Sequence, residues 1–240
     1  MTRFLVKPLA MAFLALGAAH AQADSVDFLG FANGSKTVHY ALSSPNVTKS
    51  GNASAGGLAT TLNGGPSFTS YCVDLYETIV FSDPAYANYH LVDGSLHAFA
   101  NGDADADIGK LFSAGHALNN ATAQAAFQIA IWEISYETAS VYNLASGSAQ
   151  FSGGTAATSG ALTLAGTWLS QLGSVTNTMN VEVLENFGAV VGSRRNAHYV
   201  PGHQDVVFAA PVPEPSTYAL MVAGLLSMGF IMRRRSRHRA

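Results

Sequence analysis

The sequence predicts an α+β fold: a β-rich sandwich or barrel with an inserted helical segment, followed by a single C-terminal transmembrane helix. Three observations predict it. Short runs of β-branched and aromatic residues lie before residue 82 and again after residue 179. The stretch between 107 and 172 contains no proline and carries apolar residues at helical spacing. An uncharged, mostly apolar segment from Ser216 to Met232 runs straight into Arg233, Arg234 and Arg235.

Taken in chain order, residues 1–23 have the three parts of a secretory signal. Arg3 and Lys7 give a positive start, Leu9 to Ala19 is an apolar run too short to span a bilayer, and Ala21-Gln22-Ala23 is a small-x-small cleavage site. The exported body is then residues 24–211. Strands are predicted at Ser25–Phe31 and Lys36–Leu42, with Asn33-Gly34 between them as a hairpin turn. The Gly/Ser/Asn-rich stretch from Ser43 to Gly65 has room for a short strand between loops. Phe68–Phe81 is the clearest strand signal: Tyr71, Val73 and Leu75 alternate with Ser70, Cys72, Asp74 and Tyr76, which puts Cys72 on the face opposite its apolar neighbours.

The middle of the body reads as helices. One is predicted over about Asp107–Leu118 with an aspartate cap, a second over about Thr122–Tyr136 starting near Asn120 or Ala121, and a third over Ala161–Leu172. The segment between the last two is low in complexity and reads as loop. Strands return at Asn180–Glu185 and Asp205–Ala210.

Charge narrows the partners. Between Asp24 and Pro211 the basic residues are only Lys36, Lys49, Lys110, Arg194 and Arg195, so the body is acidic although the whole chain carries a formal charge of -3. Nucleic acid needs clustered Lys and Arg against its phosphates and is excluded. The arginines of the tail set membrane topology: the apolar segment reaches roughly 25 Å at about 1.5 Å per residue, against a hydrocarbon core of about 30 Å, and long basic side chains snorkel across the difference with their end held in the cytoplasm.

Val212-Pro213-Glu214-Pro215, the apolar segment and the arginine cluster occur in the order that resembles the PEP-CTERM sorting signal of Gram-negative bacteria. The resemblance covers only residues 212–240. It implies export, anchoring in the inner membrane through helix 216–232, and processing near Pro213, Glu214 and Pro215 by exosortase, followed by residence at the cell surface or in an extracellular matrix. A plain membrane anchor is the alternative.

The chain has one cysteine, Cys72, so no internal disulfide staples the exported body. A second oddity lies in Ala125–Glu137, where Phe127, Ile131 and Ile134 share a helical face and Gln128 sits in the middle of the apolar run. A buried amide without partners costs on the order of 1–3 kcal/mol. A thiolate held in a dry pocket at attack distance from a glutamine carboxamide can expel ammonia and leave an internal thioester. Tyr71-Cys72-Val73-Asp74 together with Phe127-Gln128-Ile129-Ala130-Ile131-Trp132 resembles the paired signature of bacterial thioester domains. That resemblance implies a Cys72–Gln128 bond, shielding by Tyr71 and Trp132, and covalent adhesion to an amine- or hydroxyl-bearing surface ligand or exopolysaccharide. The alternatives are a buried unreactive Cys72 in a non-covalent structural protein of a biofilm matrix, or an intermolecular disulfide.

Other signals carry less. Asp103, Asp105 and Asp107 open like a calcium loop, but Ile108 stands where glycine is needed and Ala114 where the closing glutamate is needed. His198 and His203 lack a third ligand nearby, and His39, His90, His97 and His116 are scattered. Asp74, Glu77, Glu133 and Glu137 are carboxylates beside aromatics, too common a pattern to mark glycoside cleavage. Neither a metal nor a cofactor is expected, and the chain is not expected to be an enzyme.

Overall fold

The structure is a computed structural model that describes residues 23–43, 48–81, 85–138, 141–191, 198–200, 202–211, 221 and 224–228. The predicted leader up to residue 22, Pro213, Glu214, Pro215 and Arg233, Arg234 and Arg235 lie outside the described residues, as does most of the predicted helix 216–232. Among the described residues no helix is long and apolar enough to cross a membrane.

Six strands close into an antiparallel barrel in the order β1 (Asp24–Phe31), β4 (Leu58–Leu62), β5 (Phe68–Cys72), β11 (Val206–Pro211), β8 (Met179–Glu185) and β6 (Tyr86–Asp93). Alternation of side chains along the strands selects the inner face. Val26, Phe28, Leu58, Tyr89, Leu184 and Val206 form the barrel's own core, and all are almost inaccessible to solvent. Beside the barrel lies a second sheet in the order β3 (Lys49–Ala55), β2 (Lys36–Leu42), β7 (Ala149–Ser152). A separate ribbon pairs β9 (Ala189–Val191) with β10 (His198–Val200).

Three helices complete the body: α1 (Ala104–Ser113), α2 (Ala121–Tyr136) and α3 (Ala156–Gln171). Helix α2 is buried from Ala123 to Tyr136, as befits a helix that is apolar nearly all round. It packs against β5 of the barrel, all three strands of the small sheet and both other helices. The larger hydrophobic core therefore sits between barrel, small sheet and helices, with Phe127, Ile131, Trp132 and Ile134 at its centre. Asn120 starts α2 as read: its Oδ1 accepts from the backbone N–H groups of Thr122 and Ala123, both at 3.0 Å.

Several expectations are corrected. Asn33-Gly34 does not close a hairpin, because β1 pairs with β4 and β6 while β2 pairs with β3 and β7. The positive φ of Gly34, 83°, instead turns the chain out of one sheet and into another. The stretch Ser43–Gly65 holds two strands, β3 and β4. The predicted strand Phe68–Phe81 ends at Cys72, because Leu58 at the head of β4 pairs with Ser70 and leaves no ladder partner on that side beyond it. Helix α1 begins three residues earlier than predicted; Asp103 occupies its cap position but makes no side-chain cap bond. Helix α3 starts five residues earlier, capped by Thr155 Oγ1 accepting from Thr158 N at 3.2 Å. β6, β7, β9 and β10 were not foreseen; β7, four residues with Ala149 and Phe151 buried, is too short to show a period.

Candidate functional site

Four side chains on α2, spaced four residues apart, face the chain between Gly57 and Leu75. They are Gln124, Gln128, Trp132 and Tyr136, each one helical turn from the next. Gln124 Oε1 accepts from Tyr71 Oη at 2.7 Å and Gly57 N at 3.2 Å, while Gln124 Nε2 donates to Leu118 O at 2.8 Å. Gly57 must be glycine here, since a Cβ would collide with Gln124 Oε1 and Thr69.

Gln128 is fully buried and engages Cys72 with both ends of its carboxamide. Cys72 N–H donates to Gln128 Oε1 at 2.9 Å, and Gln128 Nε2 donates to Cys72 O at 2.7 Å. The amide thus supplies the two bonds that a neighbouring strand would give at the point where β4 has run out. It also holds the Gln128 amide carbon one covalent bond from each of two atoms tied to the residue that bears the thiol. Both bonds run to the backbone of Cys72 and not to its sulfur.

The segment after Cys72 is irregular but pinned from three directions. Tyr136 Oη accepts from Leu75 N at 2.9 Å and donates to Asp74 Oδ1 at 3.1 Å. Leu75 O accepts from Lys49 Nζ at 2.8 Å and from Tyr40 Oη at 3.4 Å, both from the small sheet. From the β11 side, Val73 N donates to Asp205 O at 3.0 Å and Gln204 Nε2 donates to Asp74 O.

Tyr71, Val73 and Leu75 face the helices, whereas Cys72 also packs against the barrel core, as the alternation required. Cys72 retains some exposure and lines a cavity of about 330 Å³ together with Trp132, Tyr40, Lys49, Glu77 and Gln204. Loss of water pushes the Cys72 thiol up to about 12, with the Asp74 charge adding to the shift. Burial, reinforced by Asp74, raises the Glu77 carboxyl to about 7. Tyr71 is 1% exposed, packs with its ring 4.7 Å from that of Phe127 at a tilt of 45°, and is not among the residues lining this cavity. Trp132 is in the cavity wall, and its Nε1 and the Glu133 Oε2 are buried polar atoms with no hydrogen-bond partner among the described residues.

A second cavity, about 350 Å³, lies across the wall formed by Asp74 and holds Asp205, Glu185, His97, Phe99 and Tyr136. His97 Nδ1 and Glu185 Oε1 are in direct hydrogen-bond contact there. Burial raises Asp205 to about 7, offset by the bond from Asn186 N and by His97. No group of His, Cys, Asp or Glu among the described residues is arranged to hold a metal ion. Of the scattered histidines, His116 stacks on Trp168 at 4.0 Å, His203 lies 4.4 Å from Tyr86, and His39 meets Asn52.

Residues 211–235 match the family described as the PEP-CTERM protein-sorting motif. The chain carries an exosortase sorting signal. Such a signal goes with export and with membrane-anchored processing toward the cell surface. No curated protein and no solved structure matches the chain. The match touches no residue between 24 and 210, so the likeness of the body to thioester domains rests on the quoted residues alone.

Sequence reasoning passed over Tyr136, Gln204, Tyr40 and Lys49. The four-residue stripe along α2 was the available signal for Tyr136. The other three reach the site from distant strands and loops and left no local mark.

Proposed function

We propose that the body is a covalent binding module, displayed at the cell surface or in an exopolysaccharide matrix, in which Cys72 and Gln128 form an internal thioester. The observation that carries this reading is the double hydrogen bond between the Gln128 carboxamide and the Cys72 backbone. Cys72 N–H points at the oxygen on which negative charge develops when sulfur adds to the amide carbon, the requirement of an oxyanion hole. In the forming step Cys72 Sγ bonds to Gln128 Cδ, the Cδ–Nε2 bond breaks, and the thiol proton leaves with Nε2 as ammonia. An amine or hydroxyl on a partner then takes the acyl group, and Cys72 regains its proton.

Tyr71 shields the pair from the helix side and Trp132 from the cavity side. Because the acyl bond to the partner persists, each molecule acts once, and the chain is a binder and not an enzyme. The signal of residues 211–235 supplies its route: export, inner-membrane anchoring and exosortase processing.

A second reading, a non-covalent structural protein of the matrix, is favoured by one observation: both polar ends of the Gln128 amide are already satisfied. Intact-mass measurement on the purified chain decides. A thioester makes the chain lighter by one ammonia, and Cys72→Ala and Gln128→Ala both abolish the deficit. A wild-type chain of full calculated mass with an alkylatable thiol refutes the covalent reading and leaves the structural one.

A further inference from the structure

The thiol of Cys72 poses a proton problem. Because burial holds it up to about 12, sulfur is a poor leaving group as thiolate and must be protonated as its bond to carbon breaks. The cavity of about 330 Å³ on which Cys72 opens is where an incoming nucleophile reaches that bond, so the proton carrier must stand in its wall.

Most polar groups in that wall are engaged. Asp74 Oδ1 accepts from Tyr76 N at 2.5 Å and from Tyr136 Oη. Lys49 Nζ donates to Leu75 O and lies 4.8 Å from the centre of the Tyr76 ring. Tyr40 Oη donates to Leu75 O, and burial raises its phenol further from neutrality. Gln204 Nε2 is held by Asp74 O. Glu77 differs: no hydrogen bond or ion pair to its carboxylate occurs among the described residues, and it shares the wall with Cys72. Trp132 lines the same wall, and its buried indole N–H has no hydrogen-bond partner among the described residues.

We infer that Glu77 is the proton carrier of acyl transfer, taking the proton of the incoming nucleophile and delivering it to Cys72 Sγ. This role rests on the thioester reading. The step balances: the nucleophile X–H bonds to Gln128 Cδ, the Cδ–Sγ bond breaks, the proton moves from X to a Glu77 oxygen and from there to sulfur, and Glu77 ends as it began. Its carboxyl is raised to about 7 by burial and by Asp74, which suits both halves of the exchange at neutral pH. The other groups that set its charge are Asp205 and Tyr89, whose own titrations respond to it, together with Lys49, Tyr40 and the thiol itself.

The test uses the full chain purified in detergent, with hydroxylamine as the nucleophile and intact mass as the readout. Wild type first shows the ammonia deficit and then gains one hydroxylamine; the rate falls as pH drops through about 7. Glu77→Gln retains the deficit, reacts about 100-fold more slowly and loses that pH dependence, while Glu77→Asp restores part of the rate and the inflection. If Glu77→Gln lacks the deficit but Glu77→Asp has it, the carboxylate also serves thioester formation, and the role stands. Absence of the deficit in both variants marks Glu77 as merely structural and overturns the inference. So does a Glu77→Gln chain that carries the deficit and reacts at the wild-type rate with the wild-type profile. A wild-type chain with no deficit overturns the thioester reading itself, a distinct outcome.

Discussion

Replacing Gln128 by leucine in a Cys72→Ala chain isolates what the amide does for the fold, because no thioester exists in that background. Leucine keeps the apolar volume of the site but removes both bonds to residue 72, at 2.9 and 2.7 Å. Each bond contributes about 1 kcal/mol net, and each backbone group left without a partner costs up to about 1–3 kcal/mol where water cannot reach it. The two bonds are partly buried, so a loss of about 3 kcal/mol is expected, between the solvated and fully dry limits. With a urea slope of about 2 kcal/mol/M for a domain of this size, the midpoint falls by about 1.5 M. Intrinsic fluorescence reports the transition, since Trp132 and Trp168 are 2% and 8% exposed in the folded state. A loss below about 1 kcal/mol would mean that water replaces the amide at no cost, and the claim that Gln128 stands in for a missing strand would be wrong.

Three further outcomes follow from the same geometry. Burial raises the Glu133 carboxyl to about 8, so the folded chain holds a proton that the unfolded chain has lost above the ordinary value of 4.5. Its contribution is complete below about 4.5 and disappears as pH rises through 8; Glu133→Gln, which keeps an acceptor for Asn143 N, flattens this alkaline loss in urea midpoints taken at pH 5 and pH 9. Gly57→Ala drives a methyl into Gln124 Oε1 and Thr69, breaking the Tyr71–Gln124–Gly57 knot, and lowers stability by about 2 kcal/mol in the same assay. Asn120→Ala removes the cap of α2 and costs about 1 kcal/mol, whereas Asn120→Asp costs a few tenths at most.

How far each feature was legible depends on the range of the forces behind it. β2 is bounded at Lys36 and Leu42 as read, and α2 begins just after Asn120, because alternation, helical period and capping act within a few residues. The supposed hairpin at Asn33-Gly34 failed for the complementary reason. The turn chemistry is local and correct, but what a strand pairs with is decided by strands far along the chain, and β1 found β4 and β6. Glu77 was set aside as an ordinary carboxylate. Only its place in the wall beside Cys72, with no hydrogen-bond or ion-pair partner among the described residues, distinguishes it from Glu133 and Glu137, which hold the backbone of Asn143 and Ser148.

By itself, then, the sequence determined the sorting tail, the acidic body, and the principal helices and strands. These are properties of contiguous residues, and contiguous residues interact whatever the rest of the chain does. The tertiary structure alone decided that six strands close into a barrel and that β5 loses its β4 neighbour before Cys72 while keeping β11 on the other side. It also decided that the vacant edge is filled by Gln128 from a helix more than fifty residues later. Such contacts are set by the shared burial of surfaces distant in the chain, and no local pattern encodes them.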